Sequence, residues 1–416
     1  MSFDKSYIDN NLVNPEWWPS GEFHEVFKQL RDEEPLYWAE PENYGRNFWV
    51  VTRYDDVKAI MADSMTFSNS VDSRIPRSGK RLTTLQRRAL MWDVNIAMLD
   101  PPFHTVLRQP MNKHFSVPAI NKLKNDVEKI VDELIEELKT KKSIDIVNTF
   151  AAKLPMDIVF AMLGIPEEDW PMLEKYAYQA FSPADPKGTI PGKTHAEASY
   201  IGLESIGKYG YQMARDRLAN PRDDMATVIS KMVVDGTSLD EHEIATWFLV
   251  LILGGLETTR NAIGAGMWTF LANPDQKQLL IEQPDLAGGA VEEVLRWVTP
   301  ARGRLRVAKA PYRLHGKVIK PLDWVFIYPA SGNKDERKFD NPHKFDITRT
   351  SNEHLALGEG IHACLGRALV RLELKTLFSK IFEAFPNMDF ANDKRPHWVI
   401  DHQVSGVTKL EVNLNQ

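Results

Sequence analysis

The chain has 416 residues, 43% of them hydrophobic and 26% charged, and carries a net charge of -6. That length is ample for a sizeable core, and the acidic balance is the opposite of the basic surplus that nucleic-acid binders show. A single cysteine excludes an internal disulfide, a zinc ribbon and a two-cysteine redox motif, and it suits a reducing cytoplasm.

The opening "MSFDKSYIDNNLVNPEWW" has no apolar signal core and no membrane anchor. About the first 75 residues look mixed; within them "NFWVVTRYDDVKAIM" predicts a strand from Phe48 to Thr52 that turns into a helix near Asp55. From about residue 100 to about residue 300 the pattern is mostly helical. "INKLKNDVEKIVDELIEELK" sets Ile120, Leu123, Val127, Ile130, Val131 and Leu134 at helical spacing, with its charges on a solvated face. "FSPADPKGTIPGKTHA", Phe181 to Ala196, holds three prolines and two glycines between helices and predicts a mobile flap.

A long helix follows. Its predicted start is Ser238, with Ser238 and Glu241 as a capping box, and its end is near Leu271, before "NPD". At 1.5 Å per residue it is roughly 50 Å long. Its apolar run "WFLVLILGG", Trp247 to Gly255, is too short for the ~20 residues that span a bilayer, so no membrane is expected. "GGLETT", Gly254 to Thr259, interrupts it; adjacent glycines in a helix interior cost on the order of 1 kcal/mol each relative to alanine. Local rules broken together in one buried stretch point to a functional site. After Pro300 short strands are predicted in "RGRLRVA", "YRLHGKVI" and "WVFIYPA", then loops, then the helix "GRALVRLELKTLFSKIFEAF".

The cysteine, Cys364, lies in "HLALGEGIHACLG" among Gly358, Gly360 and Gly366, where the backbone must bend or let something come close. Three readings are open: a core cysteine, a nucleophilic thiolate with His362 or His354 as base, and a metal thiolate near a helix start at Leu365. Zinc would find too few ligands nearby. A nucleophile leaves the long helix and its break unexplained. A heme iron accounts for both, with a thiolate on one side and an opened helix on the other.

At these residues the sequence resembles the cytochrome P450 family. "LALGEGIHACLG" is similar to its heme-binding loop, "GGLETT" to its oxygen-activating helix segment, and "EEVLR" to its Glu-x-x-Arg motif (Glu293, Arg296). "DPPFHTVLR", Asp100 to Arg108, resembles the propionate-clamping segment, and "GNKDERKFDNPHKFDITR" the meander before the cysteine. The motifs keep the family's order across essentially the whole chain, and "GGLETT" and "VSGV" resemble the soluble bacterial, camphor-hydroxylase type. Leu357 departs from the pattern, standing where the family usually has phenylalanine, which puts the iron's redox potential and the packing around the sulfur in question.

The resemblance implies a mainly α fold with small β-sheets and a long central helix over the heme. It implies one domain over residues 1–416, with a helix-rich core at about 100–300 and a mixed strand and loop part at about 301–416. Cys364 is the expected metal ligand of heme b (iron protoporphyrin IX). His104, Arg108, Arg306 and His362 match propionate-binding positions; two carboxylates in a low-dielectric interior need cationic partners. Glu293 and Arg296, with Arg349, are expected to form a buried structural ion pair. Thr258 and Glu257 are the expected catalytic pair that delivers protons, with Thr259 the lesser candidate. Arg367, Arg371 and Lys375 lie four residues apart, either as a docking stripe or as an ordinary solvated face.

The expected activity is monooxygenation with O2 and two electrons from a ferredoxin and its ferredoxin reductase in the cytoplasm. For the substrate, strand alternation groups Arg302, Arg304 and Arg306 on one face, with Arg302 aimed at the pocket. His402 and Gln403 in "WVIDHQVSG" would join it, which favours a small polar substrate and oxidative O-demethylation of a methyl ether such as a methylated sugar. Val250, Leu253 and Trp92 favour the alternative, an apolar fatty acid, terpenoid or steroid. A heme-thiolate gas sensor or carrier and a cysteine hydrolase are the alternatives from other classes.

Overall fold

The computed structural model describes residues 3–70, 80, 83–181, 187–391 and 395–415. Contacts group the chain into two compact units: Met1–Arg81 with Val131–Ala151 and Arg260–Gln416, and Leu82–Ile130 with Ala152–Thr259. In chain order the elements used below begin with α1 (Phe23–Glu33), β1 (Leu36–Ala39), β2 (Phe48–Val51), α2 (Tyr54–Ala62), β3 (Phe67–Ser68) and α3 (Phe103–Asn112). They continue with α4 (Trp170–Phe181), α5 (His195–Ala219), α6 (Glu241–Ala272), α7 (Ala287–Val298), β4 (Arg304–Ala308), β5 (Trp324–Ile327) and α8 (Arg367–Ala384). Helix accounts for 56% of the chain and the sheets are small, as the resemblance implies.

The first unit is built on a five-stranded sheet in the order β1-β2-β5-β4-β3. Alternation along β5 decides what covers each face. Trp324 and Phe326 join Trp18 and the Phe23, Val26, Phe27 and Leu30 stripe of α1. Val325 and Ile327 join Tyr54, Val57, Ile60 and Met61 on the other face. The predicted strand and helix around Asp55 are present as β2 and α2. "YRLHGKVI" is a hairpin that turns at His315 and Gly316, both with positive φ, as a tight two-residue loop requires.

In the second unit α5 opens with a Thr194–Glu197 capping box. It then packs so closely that a Cβ on Gly202 would sit 2.5 Å from the Tyr176 carbonyl of α4, and one on Gly210 would sit 2.4 Å from the Phe248 ring of α6. Residues 182–186 of the predicted flap lie outside the described residues; the described remainder runs through turns to Thr194.

Helix α6 differs from the sequence reading in two ways. It begins at Glu241, and its box is formed by Asp240 and Glu243: the Glu243 amide donates to Asp240 at 2.8 Å and the Asp240 amide to Glu243 at 2.9 Å. Ser238 cannot cap because its backbone pairs with Val233 in a two-stranded ribbon. Secondly, "GGLETT" does not break the helix, which runs for 32 residues, about 48 Å. Three of its glycines serve packing. A Cβ on Gly255 would meet Val159 at 3.0 Å, one on Gly264 would meet Val147 at 3.1 Å, and one on Gly266 would meet Phe378 and Val294 at 2.9 Å.

Candidate active site

The cysteine loop closes on itself through its backbone. The Cys364 amide donates to the Leu357 carbonyl at 2.7 Å, the Gly358 amide to Leu355 at 3.0 Å, and the Ala363 amide to Gly360 at 3.1 Å. Because Leu357 contributes a carbonyl to this turn, the turn forms with leucine there. Gly360 has φ +68°, and a Cβ on it would lie 2.8 Å from the Ala62 Cα, so only glycine fits against α2. The loop's far end is fixed where the Leu355 amide donates to Asn333 Oδ1 at 2.7 Å. Held this way, the Cys364 thiol is exposed. Helix α8 starts at Arg367, two residues after the predicted Leu365, with Gly366 as its cap.

Behind the loop lies a charge cluster whose centre, Glu293 and Arg296, is fully buried. Arg296 binds Glu293 with two prongs, at 2.7 and 2.8 Å, and donates to the carbonyls of Asn333 at 2.7 Å and Pro342 at 2.9 Å. Arg349 completes the triad with Nε 3.1 Å from Glu293. The expected structural pair is therefore present, and the same guanidinium that neutralises Glu293 braces the meander. Asn333 and Asn352, which donates to Glu293 at 3.0 Å, were not among the residues singled out from the sequence; the only signal for Asn333 was its place in "GNKDER".

Arg306 is buried on β4, 4% exposed, and donates to the Leu305 carbonyl at 2.9 Å. His362 is half-buried in the turn just before the cysteine. Arg302 is the clear departure from expectation. Strand β4 begins only at Arg304, so the alternation does not carry back through Gly303. Ala301 bridges Val404, and the Gly303 amide donates to the Gln403 carbonyl at 3.3 Å. The Arg302 side chain turns into the aromatic cluster, its guanidinium 5.2 Å from the Trp18 ring and 5.0 Å from the Phe23 ring. Leu305 and Val307 belong to that cluster too, so Arg302 does not share a face with Arg304 and Arg306. Burial lowers its pKa to about 10. His402 and Gln403 are buried beside the bridge, 2% and 5% exposed.

In the second unit, His104 and Arg108 stand one turn apart on α3. Burial first, and then the nearby Arg108 charge, lower the His104 pKa to about 4. On α6, Phe248 and Ile252 are fully buried, whereas Val250, Leu253, Glu257 and Thr258 are half-buried and Gly254 is exposed, with nothing within 4 Å of a Cβ placed on it. The apolar helix thus presents one bare side, and Thr258 is on it. Its Oγ1 donates to the Gly254 carbonyl at 3.0 Å. Thr259 points inward, 4% exposed. Trp92 is half-buried. The basic stripe is also modified: Arg367 and Lys375 are exposed, but Arg371 is bound in a two-pronged ion pair to Glu292.

A family model described as cytochrome P450 matches residues 203–410. A putative cytochrome P450 126 of Mycobacterium tuberculosis is 30% identical over 401 residues, covering 94% of this chain and 94% of that protein. The chain belongs to the cytochrome P450 family. A steroid C26-monooxygenase of Rhodococcus jostii is 32% identical over 379 residues, covering 89% of this chain and 78% of that protein. The crystal structure of Mycobacterium marinum CYP268A2 in complex with pseudoionone has a TM-score of 0.88 at 26% identity, covering 99% of each chain.

The protein is thus a bacterial-type cytochrome P450 monooxygenase whose cofactor is heme b and which works with a redox partner and a small-molecule substrate. The residues present fit that cofactor. Cys364 is an exposed thiol on a turn that admits close backbone approach, and Arg306 is a buried cation in the same unit. Among the described residues no helix is long and apolar enough to cross a membrane.

Proposed function

We propose that this cytochrome P450 hydroxylates a bulky, mainly apolar substrate in the cytoplasm. Electrons would come from a ferredoxin and its ferredoxin reductase. The observation that carries the substrate class is the orientation of Arg302: it is spent in the aromatic cluster, and Ala301 and Gly303 on either side of it are small. The half-buried Val250 and Leu253 add apolar surface on the bare side of α6. The steroid-hydroxylating relative and the pseudoionone-bound neighbour support the same class. O-demethylation of a polar methyl ether rested mainly on Arg302 and loses that support. His402 and Gln403 remain as the polar candidates, and both are buried beside the Ala301–Val404 bridge.

Bound heme supplies the activation of O2. In our reading Cys364 would hold it, and Arg306, His362, His104 and Arg108 would neutralise its two propionates, which a low-dielectric interior would not otherwise accept. Thr258 holds a proton on Oγ1 that it now shares with the Gly254 carbonyl. Turned from the carbonyl toward the exposed side of α6, that hydroxyl would be free to donate its proton. Glu257, next in the chain, replenishes it.

The test is a titration of the ferric protein with steroids, terpenoids and fatty acids beside methylated sugars and phenolic ethers, read as displacement of the distal water. Apolar ligands should act at micromolar levels and Arg302→Ala should leave their affinity unchanged. Response to the polar set alone, weakened by Arg302→Ala, would overturn the reading.

A further inference from the structure

One charge cluster beside the cysteine loop is not used by the proposed mechanism. Glu292 on α7 lies next to Glu293 but faces a different group. Its carboxylate takes both prongs of Arg371, at 2.7 and 2.8 Å, and lies 3.2 Å from His354 Nε2. His354 Nδ1 accepts from the Ala356 amide at 3.2 Å, which leaves Nε2 as the nitrogen that carries hydrogen toward Glu292. His354 opens the cysteine loop. Arg371 lies seven residues past Cys364, on α8. A single carboxylate therefore ties together the two chain segments that bracket the thiol.

The electrostatics point the same way. Burial pushes the Glu292 carboxyl up, but Arg371 and then His354 outweigh it and hold its pKa at about 2. The Arg371 guanidinium is held above its ordinary range, first by Glu292, and Cys364 is among the further charges that raise it. Arg371 is therefore within electrostatic reach of the sulfur. A positive charge there stabilises electron density on a thiolate and on the metal it binds, and the Glu292 carboxylate offsets it.

We infer that Glu292 is a positioning residue that clamps both ends of the Cys364 loop and sets the heme's reduction potential by offsetting the charge of Arg371. The inference rests on the reading of Cys364 as the iron ligand. An ion pair that only braced the fold would give a different pattern under substitution. Removing either partner would then loosen the loop alike, whereas an electrostatic offset predicts opposite signs.

The experiment is a redox titration of the holoprotein, with the reduced carbon-monoxide spectrum recorded for each variant. A wild-type spectrum without the thiolate signature defeats the ligand reading itself, before any variant is considered. With that signature present, Glu292→Gln should raise the midpoint potential, Arg371→Met should lower it, and the double variant should return most of the way to wild type. Shifts of the same sign, or none, overturn the inference. Should a single variant fail to retain heme, Arg371→Lys decides. It keeps the charge and loses one prong, so a potential equal to wild type supports the offset and a lowered one contradicts it.

Discussion

Thr258→Ala separates chemistry from structure on α6. In the fold the hydroxyl makes one hydrogen bond, 3.0 Å to the Gly254 carbonyl, at a half-buried position. Such a bond contributes about 0.5–1.5 kcal/mol net. Alanine regains about 0.5 kcal/mol of helix propensity over threonine. The two nearly cancel, so the melting temperature should move by no more than about 2 °C. Proton delivery by a positioned group is worth about 10²–10⁴-fold, so product formed per O2 consumed should fall at least about tenfold, with the balance released as peroxide. Two residues on the same helix provide controls. Thr246 donates to His242 at 2.8 Å and Thr269 to Ala265 at 2.7 Å, the same local bond away from the bare side. Their alanine variants should cost as much stability or more, because both are buried, and leave coupling intact. The assay is the stoichiometry of reductant, O2, peroxide and product with a ligand that displaces the distal water. Thr258→Ser should stay coupled. Coupling unchanged in Thr258→Ala, or lost equally in Thr246→Ala, would refute the role given to Thr258.

Arg302→Met should keep the packing against Trp18 and Phe23 and remove a buried charge, so the denaturation midpoint should stay level or rise; a loss above about 2 kcal/mol would contradict the account of that side chain. Gly266→Ala should cost the apoprotein up to about 2 kcal/mol, because its Cβ would press Phe378 and Val294 at 2.9 Å, while Gly254→Ala, facing open space, should gain up to about 1 kcal/mol; chemical denaturation distinguishes the signs. His104 has its pKa lowered from 6.5 to about 4 in the fold. The unfolded chain therefore binds the proton first, and the contribution of His104 to apoprotein stability is complete above pH 6.5 and is lost as the pH falls through about 4. His104→Phe should flatten that part of the stability curve.

The features legible in the sequence were those fixed by short-range rules. Cys364 declared itself because three glycines around a lone thiol mark a backbone that another group must approach closely, and Glu293 with Arg296 because one helical turn brings them together. The departures came where a long-range fact chose between equal local options. Ser238 and Asp240 each precede a glutamate by three residues, and the pairing of Ser238 with Val233 decided which one caps. Alternation placed Arg302 with Arg306, but a strand's phase holds only inside its ladder, and the ladder starts at Arg304. "GGLETT" looked like a break because propensity counts glycines as costs, while packing against Val159 offsets one of them. Glu292 was invisible for the same reason: its partners His354 and Arg371 lie 62 and 79 residues away.

The reduced carbon-monoxide spectrum of freshly purified protein, wild type beside Cys364→Ser, tests the central claim most directly. With Cys364 as the iron ligand, the wild type shows the strongly red-shifted Soret band of a thiolate-ligated heme and the serine variant loses it. A globin-like band in undenatured wild type, or a red-shifted band that survives the loss of the only thiol, would contradict the account.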